Sequence, residues 1–254
     1  MKNILLICRK EMRSYFASPI AYAVLALFAF LFGGLAFYPN VKYIVQMGPQ
    51  AQMQGQAINL NEMVIRPLLG FASTISLFLL PLITMRLFAE EKSSGTMELL
   101  LTSPVRDIEI ILGKWIGALG LYTSVLAMSA LNISFLFMWG KPDWKPVLVA
   151  YLGLILQGGC LLAIGAFISS LTRNQIVAGG ATFFVCLILY LLSYFTAYNN
   201  SLPSQVINYL SIVTHMESFS KGVIDSKDVI FYLSMIFFAL FITSRSMESL
   251  RWRA

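Results

Sequence analysis

Six apolar runs, nearly free of charge and parted by short polar stretches, organise this chain. Each is long enough, or nearly so, to cross the hydrocarbon core of a bilayer as a helix. The first, Ile20 to Phe37, follows Ser18-Pro19 and is expected to stop at Tyr38-Pro39-Asn40, with Tyr38 in the interfacial aromatic belt. At about 18 uncharged residues it exceeds the core of a usual signal peptide and reads as a retained span. The second, Pro67 to Met85, closes at Arg86 and contains Pro81, which kinks a helix and frees a carbonyl that neighbours must satisfy. The third, about Trp115 to Met138, has tryptophans at both ends. The fourth, Val147 to Leu171, is interrupted by Gly153, Gly158, Gly159 and Gly165, which allow close helix approach either within the chain or between copies. Thr172-Arg173-Asn174 connects it to the fifth, about Ile176 to Tyr198. The sixth, Val229 to Thr243, is short and is expected to tilt little.

The polar stretches carry the remaining pattern. Over Lys2 to Ser18 a helical wheel places Ile4, Leu5, Cys8, Met12, Tyr15 and Phe16 on one face and Lys2, Arg9, Lys10 and Arg13 on the other. Leu6 and Glu11 break the pattern. This predicts a basic amphipathic helix in the headgroup plane, against the plainer alternative of a frayed terminus. Val41 to Arg66 reads as a polar loop with Gln46, Gln50, Gln52, Gln54 and Gln56. Met47, Met53 and Met63 are soft ligands suited to copper(I), but they are irregularly spaced and lack His or Cys among them, so an ordinary loop is the default. Asn59 to Ile65 is predicted as a short helix leading to Pro67. Glu90 to Pro104 is the most polar interruption. Ser93 or Ser94 can cap a helix that nothing breaks from Thr96 to Leu101, and Ser103-Pro104 ends it. A short helix there, over 93–102, suits docking to a soluble partner; a solvated loop is the alternative. Ser204 to Ile212 and Thr214 to Lys221 are too short to span, with Gly222 as a left-handed stop, and read as interfacial or re-entrant helices. Asp225 is expected to cap the last helix, with Asp228 as a capping-box-like partner.

Composition changes the picture in one direction. Mean hydropathy is +0.75 and 58% of residues are hydrophobic, which excludes a soluble domain of this length. The fold class is therefore an all-α polytopic membrane protein. The formal charge of +6 is a topology signal rather than a nucleic-acid one. With the N-terminus in the cytoplasm, Lys2, Arg9, Lys10, Arg13, Arg86, Lys92, Arg106, Lys114, Arg173, Arg245, Arg251 and Arg253 lie inside. Lys42, Arg66, Lys141, Lys145, Lys221 and Lys227 lie outside, so the cytoplasmic excess is about twofold. Both termini and the Glu90 to Pro104 stretch are then cytoplasmic.

Candidate chemistry is sparse. Cys8, Cys160 and Cys186 form no CxxC pair and read as small packing residues. The lone His215 makes a His-based metal site or triad implausible and reads as a satisfied loop or interfacial residue. No phosphate-cradling GxxxxGK[ST] occurs, and Gly113-Lys114 leads into Trp115 instead. The spans lack the ionisable groups of ion-coupled carriers. A transporter of this kind draws its energy from a separate ATP-hydrolysing subunit. No cofactor and no catalytic residue are expected.

With these residues in hand, the whole chain resembles the permease subunit of ABC-2-type exporters. The motif is Glu90-Glu91-Lys92-x-x-Gly95-Thr96-x-Glu98-x-Leu100-x-Thr102-Ser103-Pro104, followed by Gly113-Lys114. The resemblance implies an N-terminal elbow helix bearing Arg9, Lys10 and Arg13, a coupling helix that docks to the ATP-binding subunit, and two re-entrant helices holding His215, Glu217 and Gly222. It also implies a bacterial inner-membrane location and a homodimer or a sister permease. A narrower resemblance, to the gliding-motility-associated permease branch, rests on Tyr15-Phe16-x-Ser18-Pro19-Ile20-Ala21-Tyr22 and His215-Met216-Glu217-Ser218-Phe219-Ser220-Lys221-Gly222-Val223-Ile224-Asp225. It implies an extracytoplasmic auxiliary protein; a related branch is tied to copper-enzyme maturation. The rival readings are a non-transporting scaffold that relays ATPase motion, an intramembrane enzyme, for which clustered nucleophilic groups are absent, and a passive channel.

Overall fold

The computed structural model describes residues 2–53, 59–97, 105–140, 142–196 and 202–251, and among these it is helical without strands. Six helical segments are long and apolar enough to cross a membrane. The elbow, α1, spans Lys2–Ala17. Ser18 then caps α2 (Pro19–Ala29), accepting the Ile20 amide, with Pro19 at the first helical position where its missing N–H costs nothing.

The expected stop at Tyr38-Pro39-Asn40 does not occur. A π-helical segment (Phe30–Phe37) carries α2 into α3 (Tyr38–Met53), and the expected polar loop is helical as far as Met53. The wide turn ends with the Tyr38 amide on the Gly33 carbonyl, so Pro39 falls at the start of a fresh α-helix, where proline is tolerated. Asn40 donates to the Ala36 carbonyl at 2.7 Å. The predicted short helix before Pro67 is a π turn, Asn61–Ile65, that runs directly into α4 (Arg66–Thr84).

The other elements are α5 (Ala89–Ser93), α6 (Asp107–Trp139), α7 (Trp144–Leu171), α8 (Gln175–Thr196), α9 (Leu202–Tyr209), α10 (Ile212–Ser220) and α11 (Ser226–Arg251). Two helices outrun their apolar runs. The 33 residues of α6 cover about 50 Å, so it projects beyond a hydrocarbon core of about 30 Å. It begins early because the Arg106 amide is capped by the Glu109 carboxylate at 3.3 Å. Likewise α11 continues past Thr243 through an Arg245–Glu248 pair at 2.8 Å.

Helix α7 is the axis of the bundle and is buried along most of its length. Its four glycines settle the packing alternative in favour of the chain itself. A Cβ would strike Phe219 of α10 at Gly153, Tyr122 of α6 at Gly158 and Thr84 of α4 at Gly165, while Gly159 faces Trp115 and Ile236. Polar side chains inside the bundle are paired across helices, Ser76 with Tyr122 and Ser129 with Tyr151, both at 2.9 Å. By contrast, α2 and α8 leave large apolar side chains such as Tyr22 and Phe184 exposed, as a lipid-facing helix does. The bundle has two ends, one carrying α1 and α5, the other α9 and α10.

Candidate functional site: the junction of the elbow, α5 and α6

The chain leaves α4 at Met85 and makes a tight connection into α5. Ser169, in the last turn of α7, accepts the amides of Phe88 and Ala89, each at 3.1 Å, and so holds the start of α5. Its neighbour Ser170 offers its carbonyl to the Lys92 ammonium, holding the other end. The Ser170 hydroxyl also donates to Ser246 of α11 at 3.1 Å. One helix terminus thus fixes α5 and ties it to the last helix.

The predicted cap roles of Ser93 and Ser94 are corrected here. Ser93 ends α5, and the Ser94 amide donates back to the Glu90 carbonyl at 3.0 Å. Both hydroxyls also donate to that carbonyl, at 2.9 Å. Glu90-Glu91 at the first turn instead favour the helix one turn earlier, where carboxylates complement the exposed N–H groups. Gly95 then takes φ +74°, a conformation that disfavours any other residue, and the chain reverses so that Met97 is buried while Ser93 to Thr96 stay exposed. Of the expected helix over 93–102, Ser93 belongs to α5 and residues 94–96 form a turn. Glu98, Leu100, Thr102 and Pro104 lie outside the described residues.

Beneath α5 sits a buried charge cluster. The Lys114 ammonium is only 3% exposed and lies 3.1 Å from Glu11 of the elbow and 2.9 Å from Glu91 of α5. It also stands 5.6 Å above the Phe88 ring. Lys10 approaches both carboxylates more loosely, at 3.8 and 3.9 Å. Lys114 is the buried cation between the two acids, and the exposed Lys10 adds a second charge from the rim. Glu90 points outward and reaches Arg86 at 3.9 Å. Tyr15 lies beside this cluster, and burial first, then the nearby Glu11, Glu90 and Glu91 carboxylates, push its phenol well above its usual range, with Arg86 opposing.

The elbow reaches Lys114 because α6 presents a seat without side chains. A Cβ would meet Ile7 at 2.7 Å on Gly113, and Glu11 and Met12 at 2.9 Å on Gly117 and Gly120. Asn3 adds a hydrogen bond to Glu109 at 3.0 Å. This face differs from the expected one. Glu11, read as a break in the pattern, is buried with Tyr15, whereas Leu5 and Leu6 are 70% and 64% exposed. Arg9, Lys10 and Arg13 are exposed as predicted, with Lys10 leaning toward the cluster.

The remaining expected residues lie at the opposite end. His215 is not a loop residue: it sits in α10, 2% exposed, and stacks on Phe231 with ring centres 3.9 Å apart. Its Nδ1 lies 2.7 Å from Asp228 and its Nε2 lies 2.8 Å from the Tyr209 carbonyl. A carbonyl only accepts, so this geometry suits an Nε2–H donor to Tyr209, with Nδ1 facing the Asp228 carboxyl. The expected capping-box role of Asp228 is thereby replaced. Asp225 does cap α11, accepting the Lys227 amide at 3.2 Å. Gly222, at φ +78°, stops α10 as expected and packs on Pro146. Glu217 pairs with Lys221 at 2.6 Å, and that hydrogen bond holds its carboxyl below the usual range.

This geometry brings together Glu91, Lys92, Gly95, Thr96 and Lys114 of the sequence motif. It adds Glu11, Ser169, Ser170 and the glycine seat, which periodicity alone passes over. Residues 5–244 match the family described as ABC-2 family transporter protein. The chain belongs to that family: it is a multi-pass membrane protein, the permease subunit of an ABC exporter, whose ATP-binding partner is a separate subunit. No curated protein matches the sequence significantly.

Proposed function

We propose that the α5 turn is where the ATP-binding subunit docks, and that the Glu11–Lys114–Glu91 cluster passes its movement into the membrane. One observation carries this reading. The exposed stretch of Ser93 to Thr96 begins two residues after Glu91, whose carboxylate is bonded to Lys114 of a membrane-crossing helix and, through it, to the elbow. A push on the turn therefore loads α4, α6, α7 and the elbow together. ATP hydrolysis then drives export or mechanical work by a permease paired with a second copy or a sister chain, both termini facing the cytoplasm of the inner membrane. The narrower reading, gliding-associated work with an extracytoplasmic auxiliary protein, is supported by the two sequence stretches that resemble that branch.

The test is affinity purification from native membranes of the wild type, Thr96→Arg and Glu98→Lys, with mass spectrometry of what accompanies each. An ATP-binding protein that accompanies the wild type and is lost from both variants supports docking at this turn. Equal recovery with all three overturns it.

A further inference from the structure

At the α10 end a cleft of about 600 Å³ opens between α4, α8 and α10. Arg66 and Glu62 stand at its mouth on one side and Glu217 on the other. Arg66 reaches Glu217 at only 3.8 Å and stays 39% exposed, so its guanidinium keeps most of its donors for another partner. From Arg66 the wall descends one face of α4, through Gly70, to Ser73 and Thr74, about 10 Å deeper. Thr74 shares a hydrogen bond of 3.3 Å with Tyr190 of α8. Val213 and Met216 make the opposite wall apolar.

Ser73 is bonded in turn to a side chain outside the cleft's lining that a membrane interior does not accept idly. Gln157 lies halfway along α7, is fully buried, and accepts the Ser73 hydroxyl at 2.8 Å. Its amide nitrogen has no hydrogen-bond partner among the described residues. A buried, half-satisfied amide at mid-membrane marks a functional position. Gly70 supports the same conclusion from the other side: a Cβ there would meet nothing within 4 Å, so a glycine inside a helix faces open space.

We propose that this cleft binds a zwitterionic aminophosphate, with the phosphate on Arg66 and the ammonium on Glu62. A guanidinium favours a phosphate by its planar fork, and the Glu62 carboxylate four residues before Arg66 selects a cation beside it, while Glu217 is already paired with Lys221 at 2.6 Å. The Ser73 and Thr74 hydroxyls already donate to Gln157 and to the Gly70 carbonyl, so they offer lone pairs to a ligand, and the apolar wall suits a hydrocarbon stem. Two sources offer this chemistry: a phosphoethanolamine lipid of the membrane, or free phosphoethanolamine in solution.

The experiment uses the intact protein in nanodiscs and in detergent. Native mass spectrometry counts retained phosphatidylethanolamine against phosphatidylglycerol, and calorimetry titrates free phosphoethanolamine. The wild type retains phosphatidylethanolamine in preference, and binds the free headgroup only if the soluble source is the true one. Arg66→Gln weakens either ligand about tenfold or more, as loss of a charge-assisted contact does. Glu62→Gln narrows the preference over phosphatidylglycerol. Gly70→Phe, checked for unchanged elution and melting, blocks the cleft. Because Arg66 is on the surface, its variant stands as a test even if the phenylalanine variant fails to fold. Equal retention of both lipids together with no binding of phosphoethanolamine overturns the proposal, as does retention indifferent to Arg66→Gln.

Discussion

Replacing Lys114 with methionine removes the charge and keeps the length. The variant leaves Glu11 and Glu91, 12% and 15% exposed, facing each other with no buried cation between them. Breaking a buried pair by removing one partner costs about 3–5 kcal/mol. Lys10 stands 3.8 and 3.9 Å from the two carboxylates and offsets part of this, which places the cost near ~3 kcal/mol. That is about a hundredfold change in an opening equilibrium. The structure also indicates which motion takes up the cost: the elbow is held by the cluster and the glycine seat, so it lifts from α6. Cys8 lies on the elbow, partly covered, and the other two cysteines are buried in the bundle. Its labelling by a polar maleimide therefore reports the lift without any added thiol. Lys114→Met should speed Cys8 labelling about a hundredfold, and ATPase stimulation by the partner subunit should fall with it. Adding Glu11→Gln and Glu91→Gln to the same chain removes the uncompensated charges, and should slow labelling again by at least tenfold. Unchanged labelling in the single variant, or a triple variant as fast as the single, would refute the argument that charge balance holds the elbow.

Three further outcomes follow from other contacts. Gly117→Leu drives a side chain into Glu11 and should unseat the elbow by about 1–3 kcal/mol, read by the same Cys8 labelling, while Gly70→Ala, which meets open space, should leave labelling unchanged. Asp228→Ala leaves His215 Nδ1 buried without its partner and should cost about 1–3 kcal/mol in thermal stability, while Asp228→Asn, which can donate to that nitrogen, should recover most of it. The Glu217 carboxyl is held below its usual range by Lys221, so its contribution is present above the ordinary carboxylate range and is lost as pH falls through the lowered value. Hydrogen-exchange protection in the last turn of α10, taken relative to the intrinsic rate at each pH, should fall on acidification across that window, and Lys221→Met should abolish the change.

The apolar runs were enough to read the spans, because twenty or so uncharged residues have one stable state in a bilayer. Helix ends were harder. Charge density made α6 look as if it began at Trp115 and α11 as if it stopped at Thr243, whereas a carboxylate cap on the first and a local ion pair in the second carry both helices into water. Tyr38-Pro39-Asn40 looked like punctuation, and only the preceding π turn lets the helix through. The motif residues were legible, but their geometry was not. Ser93 has the chemistry of an N-cap and stands at a C-terminus, since two acids upstream and Ser169 from a distant helix start α5 earlier. Glu11 looks like a flaw in an amphipathic pattern, and Lys114 like one more cytoplasmic charge before a span. Two isolated charges of opposite sign in such patterns are a pairing signal, yet nothing in the local sequence names the partner.

That separation has a consequence for how the protein is made. Glu11 and Lys114 are 103 residues apart, and the elbow is synthesised first. At about 5–20 residues per second, the ribosome takes on the order of ten seconds to supply the lysine. During that interval the elbow has neither its counter-charge nor its glycine seat, and it waits at the membrane surface through its exposed basic face. Insertion of α6 is then the event that latches the N-terminus. A nascent chain stalled before α6 leaves its first helix unlatched, and that exposed segment distinguishes an unfinished permease from a finished one.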